Sequence, residues 1–389
     1  MTAFRQLRKA DPDRTNPFVP GQGRIPPYLA GRETEQRLIK NLLDRLVKGW
    51  APGRDVVLFG PRGNGKTVLM EWSLREAQSR KIGTGDFYGG EFRSRDELIG
   101  GLSVASGWSR LFSSVSWLGV GIRTRDVTSG RLSDVLARRT RQRPLVIAID
   151  EAHVLGIELG QALINAVQGL RRKGSPILLM LVGTPDLPRR LNSMGASFWD
   201  RSAKLRIGRL SPEAAAEAIR IPLEERDYMI ASDALDQVVP ESEAYPFFVQ
   251  LWGGLLWDTL QVSSSLISAA NADQARGQFE DERDEYYLNR YEELRRAGLA
   301  RVAASVSSVY LGADKASADQ VEGAVRSALE SMGQHSDKRS VTAALEQLHE
   351  LGYIWAVSKQ SRHYFEPGIP SLMQFVARSD DSVAGLQPS

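Results

Sequence analysis

The sequence predicts an α/β fold: a parallel sheet with helices on both faces, followed by a mostly helical region. Three observations carry this. Apolar runs of strand length recur at 56–59, 145–149 and 177–182. Helical patterns separate them, as parallel strands require, because each crossover must carry the chain back across a face of the sheet. After Leu210 the strand runs give way to helical periodicity.

Taken in order, residues 1–27 are rich in Pro, Gly and Arg and read as an extended lead-in. From 33 to 47, Leu38, Leu42, Leu43 and Leu46 mark one face of a helix. The run 56–59 enters a Gly-rich turn and a helix over about 66–77. Helices at about 132–141 and 158–172 flank the run 145–149, and 204–207 adds a last strand. The stretch 100–128 alternates Ser, Gly and large apolar residues (Trp108, Leu111, Phe112, Trp117, Ile122), which predicts a hairpin insertion over a small satellite core.

Ser211-Pro212-Glu213 is a helix start, with Ser as the cap and Pro in the first turn. Phe247, Phe248, Trp252 and Trp257 have the spacing of a helical core. The charged stretch 280–296, with Tyr286, Tyr287 and Tyr291, reads as a solvated helix face. The end of the chain predicts helices at 317–329 and 339–351, then strands at 353–357 and 363–366, the order of a winged helix. Val341, Leu345, Leu348 and Leu351 form the inner face of its second helix. The expected domains are the lead-in 1–27, an α/β core 28–210, a helical lid 211–300, and a winged-helix-like domain with tail 301–389.

Composition narrows the chemistry. The 389 residues include 50 Lys and Arg against 47 Asp and Glu, a formal charge of +3, so bulk charge announces no polyanion partner. With no cysteine there are no disulfides, thiolate metal sites or cysteine nucleophiles, and four scattered histidines make no metal cluster. The start Met1-Thr2-Ala3-Phe4-Arg5 lacks the apolar run of a signal peptide. The greasiest segments fall short of the roughly 20 residues that span a bilayer. These features predict a cytoplasmic protein without a membrane role.

Gly60-Pro61-Arg62-Gly63-Asn64-Gly65-Lys66-Thr67 fits the phosphate-binding pattern of Gly, four residues and Gly-Lys-Thr, with Val68 continuing the helix. Glycines let the loop wrap so that backbone N–H groups face phosphate oxygens, and the helix adds its positive end. Lys66 reaches the β- and γ-phosphates and Thr67 ligates Mg²⁺. A buried strand ending in Asp150-Glu151 supplies the other half. Asp150 holds the metal shell, and Glu151 activates the attacking water, which implies ATP hydrolysis. Thr184, after the run 177–182, either touches the γ-phosphate or caps the next helix. An arginine in cis or from a neighbouring subunit would stabilise the transition state; Arg189, Arg190 and Arg201 are candidates, with Arg201 preferred.

Together these residues resemble the AAA+ and STAND P-loop ATPases, in the branch of archaeal-type ATPases, origin-recognition initiators and transposition ATPase subunits. The motifs are Leu29-Ala30-Gly31-Arg32-Glu33-Thr34-Glu35, the two Walker segments, Leu181 to Leu187, and Tyr245-Pro246-Phe247-Phe248-Val249-Gln250. The resemblance implies a P-loop NTPase core. It also implies an adenine pocket near Gly31 and Arg32 and a lid in which Pro246 approaches the nucleotide. Ala244 stands where the lid motif usually has Gly, and no lid arginine is evident.

Two readings of the output follow. In the first, the winged helix docks on double-stranded DNA through Lys338, Arg339 and Thr342, with Lys359 and Arg362 on the wing, although the local excess of +1 is a faint footprint. In the second, the nucleotide state switches homo-oligomerisation or a protein partner.

Overall fold

The structure is a computed structural model. It describes residues 15–21, 25–104, 132–260, 265–311, 315–359 and 362–384. The chain divides into two compact units. The core unit is Arg32–Gly60 with Lys66–Ile207. The C-terminal unit is Met1–Gly31, Pro61–Gly65 and Gly208–Ser389.

The core unit runs α1 (Glu33–Val47), β1 (Val56–Phe59), α2 (Lys66–Ser79), β2 (Gly83–Tyr88), α3 (Arg95–Val104), α4 (Leu132–Gln142), β3 (Leu145–Asp150), α5 (Ile157–Arg172), β4 (Ile177–Gly183), α6 (Leu187–Arg201) and β5 (Ala203–Arg206). Its strands form one parallel sheet in the order β2-β3-β4-β1-β5. The apolar strands β3 and β4 lie inside the sheet because both their faces are buried. The edge strand β2 was not anticipated; it reads Gly-Thr-Gly-Asp-Phe-Tyr and lacks an apolar run. Leu98, Leu136, Ile147, Leu163, Leu179 and Phe198 belong to the core cluster that packs the helices onto the sheet.

The hairpin expected over 100–128 is corrected where it is described. Residues 100–104 end helix α3, because Leu98, Ile99 and Leu102 recur at helical spacing and are buried. Trp108, Leu111, Phe112, Trp117 and Ile122 lie outside the described residues.

The C-terminal unit contains α7 (Pro212–Glu224), β6 (Met229–Ile230), α8 (Ser232–Glu241), α9 (Pro246–Asp258), β7 (Leu266–Ile267) and α10 (Ala269–Arg296). These are followed by α11 (Ala300–Val309), β8 (Ala316–Ser317), α12 (Ala318–Ser331), α13 (Lys338–Glu350), β9 (Ile354–Lys359), β10 (Arg362–Pro367) and α14 (Pro370–Ala384). Helix α7 starts as its sequence predicts: the Ser211 hydroxyl accepts the Ala214 N–H at 3.2 Å, with Pro212 in the first turn. Antiparallel β8, β10 and β9 form a small sheet. Helix α13 buries Val341, Ala344, Leu345 and Leu348. The Asp337 carboxylate caps it by accepting the Ser340 N–H at 2.8 Å, and that bond holds the carboxyl below its usual range.

Helix α10 is not the solvated face its charges suggest. Phe279, Tyr287, Tyr291 and Leu294 are buried, so the charged residues occupy only the remaining surface of the helix. Among the described residues, no helix is long and apolar enough to cross a membrane.

Candidate active site

In the core unit β1, β3 and β4 are parallel and in register, Phe59 beside Gly183 and Ile149 beside Leu181, so their carboxyl ends share one edge of the sheet. Five of the candidate side chains belong to this edge. Lys66 opens α2 and is buried. The Thr67 hydroxyl donates to Asp150 Oδ2 at 2.7 Å, and Asp150 Oδ1 accepts the Glu151 N–H at 2.8 Å. Burial pushes the Asp150 carboxyl above its usual range. The hydrogen bonds from Thr67 and Glu151 oppose that shift, the Glu151 charge adds to it, and the Lys66 ammonium opposes it.

Glu151 adopts a left-handed backbone, φ 48° and ψ 39°, which costs a non-glycine residue about 1–3 kcal/mol. The neighbouring chain approaches it closely: a methyl group on Gly89 would lie 2.5 Å from the Glu151 carbonyl oxygen. Its side chain meets His153, Oε2 to Nε2 at 3.2 Å, and the His153 carbonyl accepts the Arg190 Nε–H at 3.0 Å. Arg190 therefore steadies the turn that carries Glu151, and Arg189 pairs with Asp186 at 2.7 Å. Thr184 is buried, and its Oγ1 has no hydrogen-bond partner among the described residues. It does not cap α6, whose N-cap position is Asp186. A buried hydroxyl without a partner costs about 1–3 kcal/mol and calls for an explanation.

The loop from Gly60 to Gly65 has the backbone that its glycines permit. A side chain on Gly60 would collide with the Ile207 carbonyl oxygen, because the Ile207 N–H bonds the Phe59 carbonyl at 2.8 Å. Gly63 and Gly65 take φ of +76° and +82°, and Gly65 faces open space. Pro61 and Asn64 are buried, Arg62 is exposed, and Val68 is half-buried. Within the C-terminal unit, the Tyr245 hydroxyl donates to the Arg62 carbonyl oxygen. Pro246 occupies the first turn of α9, where its missing N–H leaves no gap. Ala244, in the position where glycine was expected, keeps a left-handed backbone at φ +51°.

Gly31 takes φ +65° where the chain passes α7; a methyl group there would lie 2.7 Å from Ala214 Cβ. Arg32 is buried ahead of α1, and burial lowers its pKa against the raising charges of Glu35 and Glu33.

Arg201 is not brought to the cluster around Asp150. It ends α6 just before β5 begins, so parallel geometry puts it at the amino edge of the sheet. There it lines a cavity of about 740 Å³ with Asp55, Arg171 and Lys204. A catalytic role for Arg201 within its own chain does not fit this placement. Lys338, Arg339 and Thr342 are exposed on the first turns of α13, and the side chains of Lys359 and Arg362 lie outside the described residues.

Sequence reasoning gave no role to the Tyr245–Arg62 bond or to the buried Asp55–Arg171 pair. A single carboxylate directly before an apolar strand was the only signal of the second.

The model of the AAA domain family matches residues 53–191. No curated protein sequence matches the chain. Among solved structures, a Walker-type ATPase of Pyrococcus abyssi superposes with a TM-score of 0.59 at 16% identity, over 90% of this chain and 96% of that one. The ORC2 protein of Aeropyrum pernix, solved in ADPNP and ADP complexes, gives 0.56 at 15% identity, over 93% and 97%. At such identities the likeness is one of fold. Residues 53–191 thus match the AAA domain family, with the Walker residues in place at the sheet edge, and the chain shares the fold of these ATPases.

Proposed function

We propose that the chain is a Mg²⁺-dependent ATP hydrolase of the cytoplasm whose nucleotide cycle governs binding to double-stranded DNA, or assembly of a complex on it. The observation that carries the catalytic part is the bond of Thr67 to Asp150 at the carboxyl edge, with buried Lys66 and the unpartnered Thr184 hydroxyl. In this reading residues 28–210 are the ATPase core, 211–300 the lid and 301–389 the winged-helix domain.

The donor set suits Mg²⁺. A hydroxyl and a carboxylate are hard oxygen ligands, and Mg²⁺ takes few protein ligands, filling its shell with water and phosphate oxygens. Among the described residues, no cluster of three or more His, Cys, Asp or Glu offers an all-protein cage. When bound, the ion supplies positive charge against the β- and γ-phosphates, held by Thr67 and Asp150.

The chain's own residues do the rest. Amides of Gly60 to Val68 cradle the phosphates, and Lys66 neutralises charge on the γ-phosphate. The Glu151 carboxylate orients the attacking water and accepts its proton, and His153 holds that carboxylate until then. Thr184 donates its spare hydrogen bond to the γ-phosphate. Arg201 serves as arginine finger only toward the nucleotide of a neighbouring chain, which makes a homo-oligomer the active form. Gly31, Arg32 and Pro246 border the adenine.

The order α12, α13, β9, β10 is that of a winged helix, and exposed Lys338, Arg339 and Thr342 stand at the positive end of α13, where a duplex would dock. Lys359 and Arg362 belong to the wing strands.

A second reading is a nucleotide-controlled switch of oligomerisation or of a protein partner, without DNA. One observation favours it: Pro61–Gly65 belongs to the same compact unit as the C-terminal helices, so a change at this loop is felt there.

The test is the ATPase rate of wild type and Glu151→Gln, with and without duplex DNA, across a salt series. Turnover by wild type, stimulated by DNA at low salt and absent in Glu151→Gln, is the expected result. Turnover indifferent to DNA would transfer the output to a protein partner. Glu151→Gln turning over at the wild-type rate would remove the catalytic assignment.

A further inference from the structure

The phosphate-binding pattern specifies Gly60, Gly65, Lys66 and Thr67 and leaves the residues between them open. This chain nevertheless has glycine at 63, and the C-terminal unit contains the reason. Gly63 lies at φ +76°, and a Cβ on it would collide with the hydroxyl and ring of Tyr245. Tyr245 is wholly buried, its hydroxyl donates to the carbonyl of Arg62, and its ring packs on Phe248 with centroids 5.1 Å apart. The same hydroxyl lies 3.2 Å from that of Tyr286 on α10, where the Arg290 guanidinium covers the Tyr286 ring at 5.1 Å. Arg290 also holds Glu293 at 3.0 Å, and Glu293 reaches the side chain of Arg62 at 3.6 Å. The Arg62–Gly63 segment is thus held through its main chain by Tyr245 and through its side chain by Glu293.

We propose that Tyr245 is a positioning residue for the phosphate loop. Its hydroxyl fixes the Arg62 carbonyl and its ring occupies the space that Gly63 leaves, so the loop amides are oriented before nucleotide arrives. Such an arrangement lowers the ordering that binding must impose, which favours affinity rather than the chemical step. The exposed Arg62–Glu293 contact is a weak tether. The buried Tyr245 hydrogen bond is the one that sets the loop. It is neutral in the physiological range, since burial and the adjacent Tyr286 raise the phenol well above its ordinary pKa. The loop is therefore held equally firmly from mildly acidic to mildly basic solution.

The proposal rests on the nucleotide-binding reading, so the test has one readout that needs no nucleotide. Tyr245→Phe keeps the ring and removes only the hydroxyl. In the nucleotide-free chain, amide exchange over 62–66 is expected to accelerate about tenfold. With Mg²⁺ present, the Kd for a fluorescent ADP analogue is expected to weaken about five- to tenfold, and the KM for ATP to rise with it, while kcat stays within about twofold. Tyr286→Phe leaves the bond to Arg62 in place and is expected to show neither effect. Gly63→Ala places a methyl group against the Tyr245 hydroxyl and ring and is expected to weaken the same Kd.

Unchanged exchange in Tyr245→Phe, an equal loss in Tyr286→Phe, a fall in kcat at constant KM, or tight binding by Gly63→Ala would each overturn it. If wild type binds no ADP analogue, the nucleotide reading falls on its own, and the exchange comparison still decides whether Tyr245 holds the loop.

Discussion

The two edges of the core sheet each hold an aspartate beside a strand, Asp55 buried and Asp150 half-buried, and they treat it differently. At the amino edge Asp55 is nearly sealed from solvent. It receives the Arg171 guanidinium and, at 3.0 Å, the Leu179 N–H. At the carboxyl edge Asp150 is touched by a neutral hydroxyl and by the amide of its own neighbour, with the like charge of Glu151 beside it. Burial raises both carboxyls above their usual range. Asp55 is paired directly with the Arg171 guanidinium. In the proposed function, the contrast separates a carboxylate that fastens the fold from one that would take a cation from solution. Thr184 repeats the lesson: it is buried on the same edge as Asp150, and its hydroxyl has no hydrogen-bond partner among the described residues.

Four changes would break or sharpen this comparison. The largest effect is expected at Glu151, where replacement by Gln removes the proton acceptor. Steady-state turnover should fall by about 10²–10⁴-fold while nucleotide still binds. Next is Asp55→Ala, which strands a buried guanidinium and the Leu179 N–H. Urea unfolding should show a loss of about 3–5 kcal/mol, whereas a loss near zero would make the amino edge no fastener at all.

Asp150→Asn should behave in the opposite sense. Folding raises this carboxyl's pKa, so between the ordinary value and the raised one the folded chain binds the proton more tightly than the unfolded chain does. Ionisation of Asp150 therefore subtracts stability as pH rises through that window, and above it the full deficit remains. The nucleotide-free Asn variant should gain more over wild type at pH 8 than at pH 4 in paired thermal melts. A gain that is equal at both pH values would show that the charge carries no penalty. The smallest effect is expected at Ala244→Gly, which relieves a left-handed alanine. A stabilisation of up to about 1 kcal/mol is expected, and a net loss would mean that the strain is already offset.

Much of the carboxyl edge was legible because its chemistry is written in contiguous residues. Gly60 to Thr67 satisfies a backbone geometry that few sequences meet, and a buried strand ending in Asp150-Glu151 has to deliver both carboxylates to one sheet edge. Helix α7 announced itself by its cap, Ser211, and α13 by the helical spacing of Val341, Leu345 and Leu348.

What escaped was long-range or locally ambiguous. Strand β2 hid behind Gly83, Thr84 and Gly85, whose small side chains give no apolar run. Strand order is set by crossovers, which no local pattern records. The Tyr245–Arg62 bond joins residues 183 positions apart. The left-handed backbone at Ala244 persists without the glycine that usually signals it, and the Ser242 hydroxyl accepts its N–H at 3.2 Å. The tyrosines of α10 were masked by the charges around them, because a long helix can bury an aromatic stripe while its other faces stay solvated.

The most direct test of the central claim is the thermal midpoint of wild type with ADP in excess, measured with Mg²⁺ and with a chelator. A ligand at about 100 times its Kd stabilises the folded state by about 2.7 kcal/mol, a shift of several degrees. The account predicts that shift with Mg²⁺ and ADP together, a smaller one under chelation, and none in Lys66→Ala. An unmoved midpoint in wild type, or an equal rise in Lys66→Ala, would contradict the assignment of the carboxyl edge to a metal-bound nucleotide.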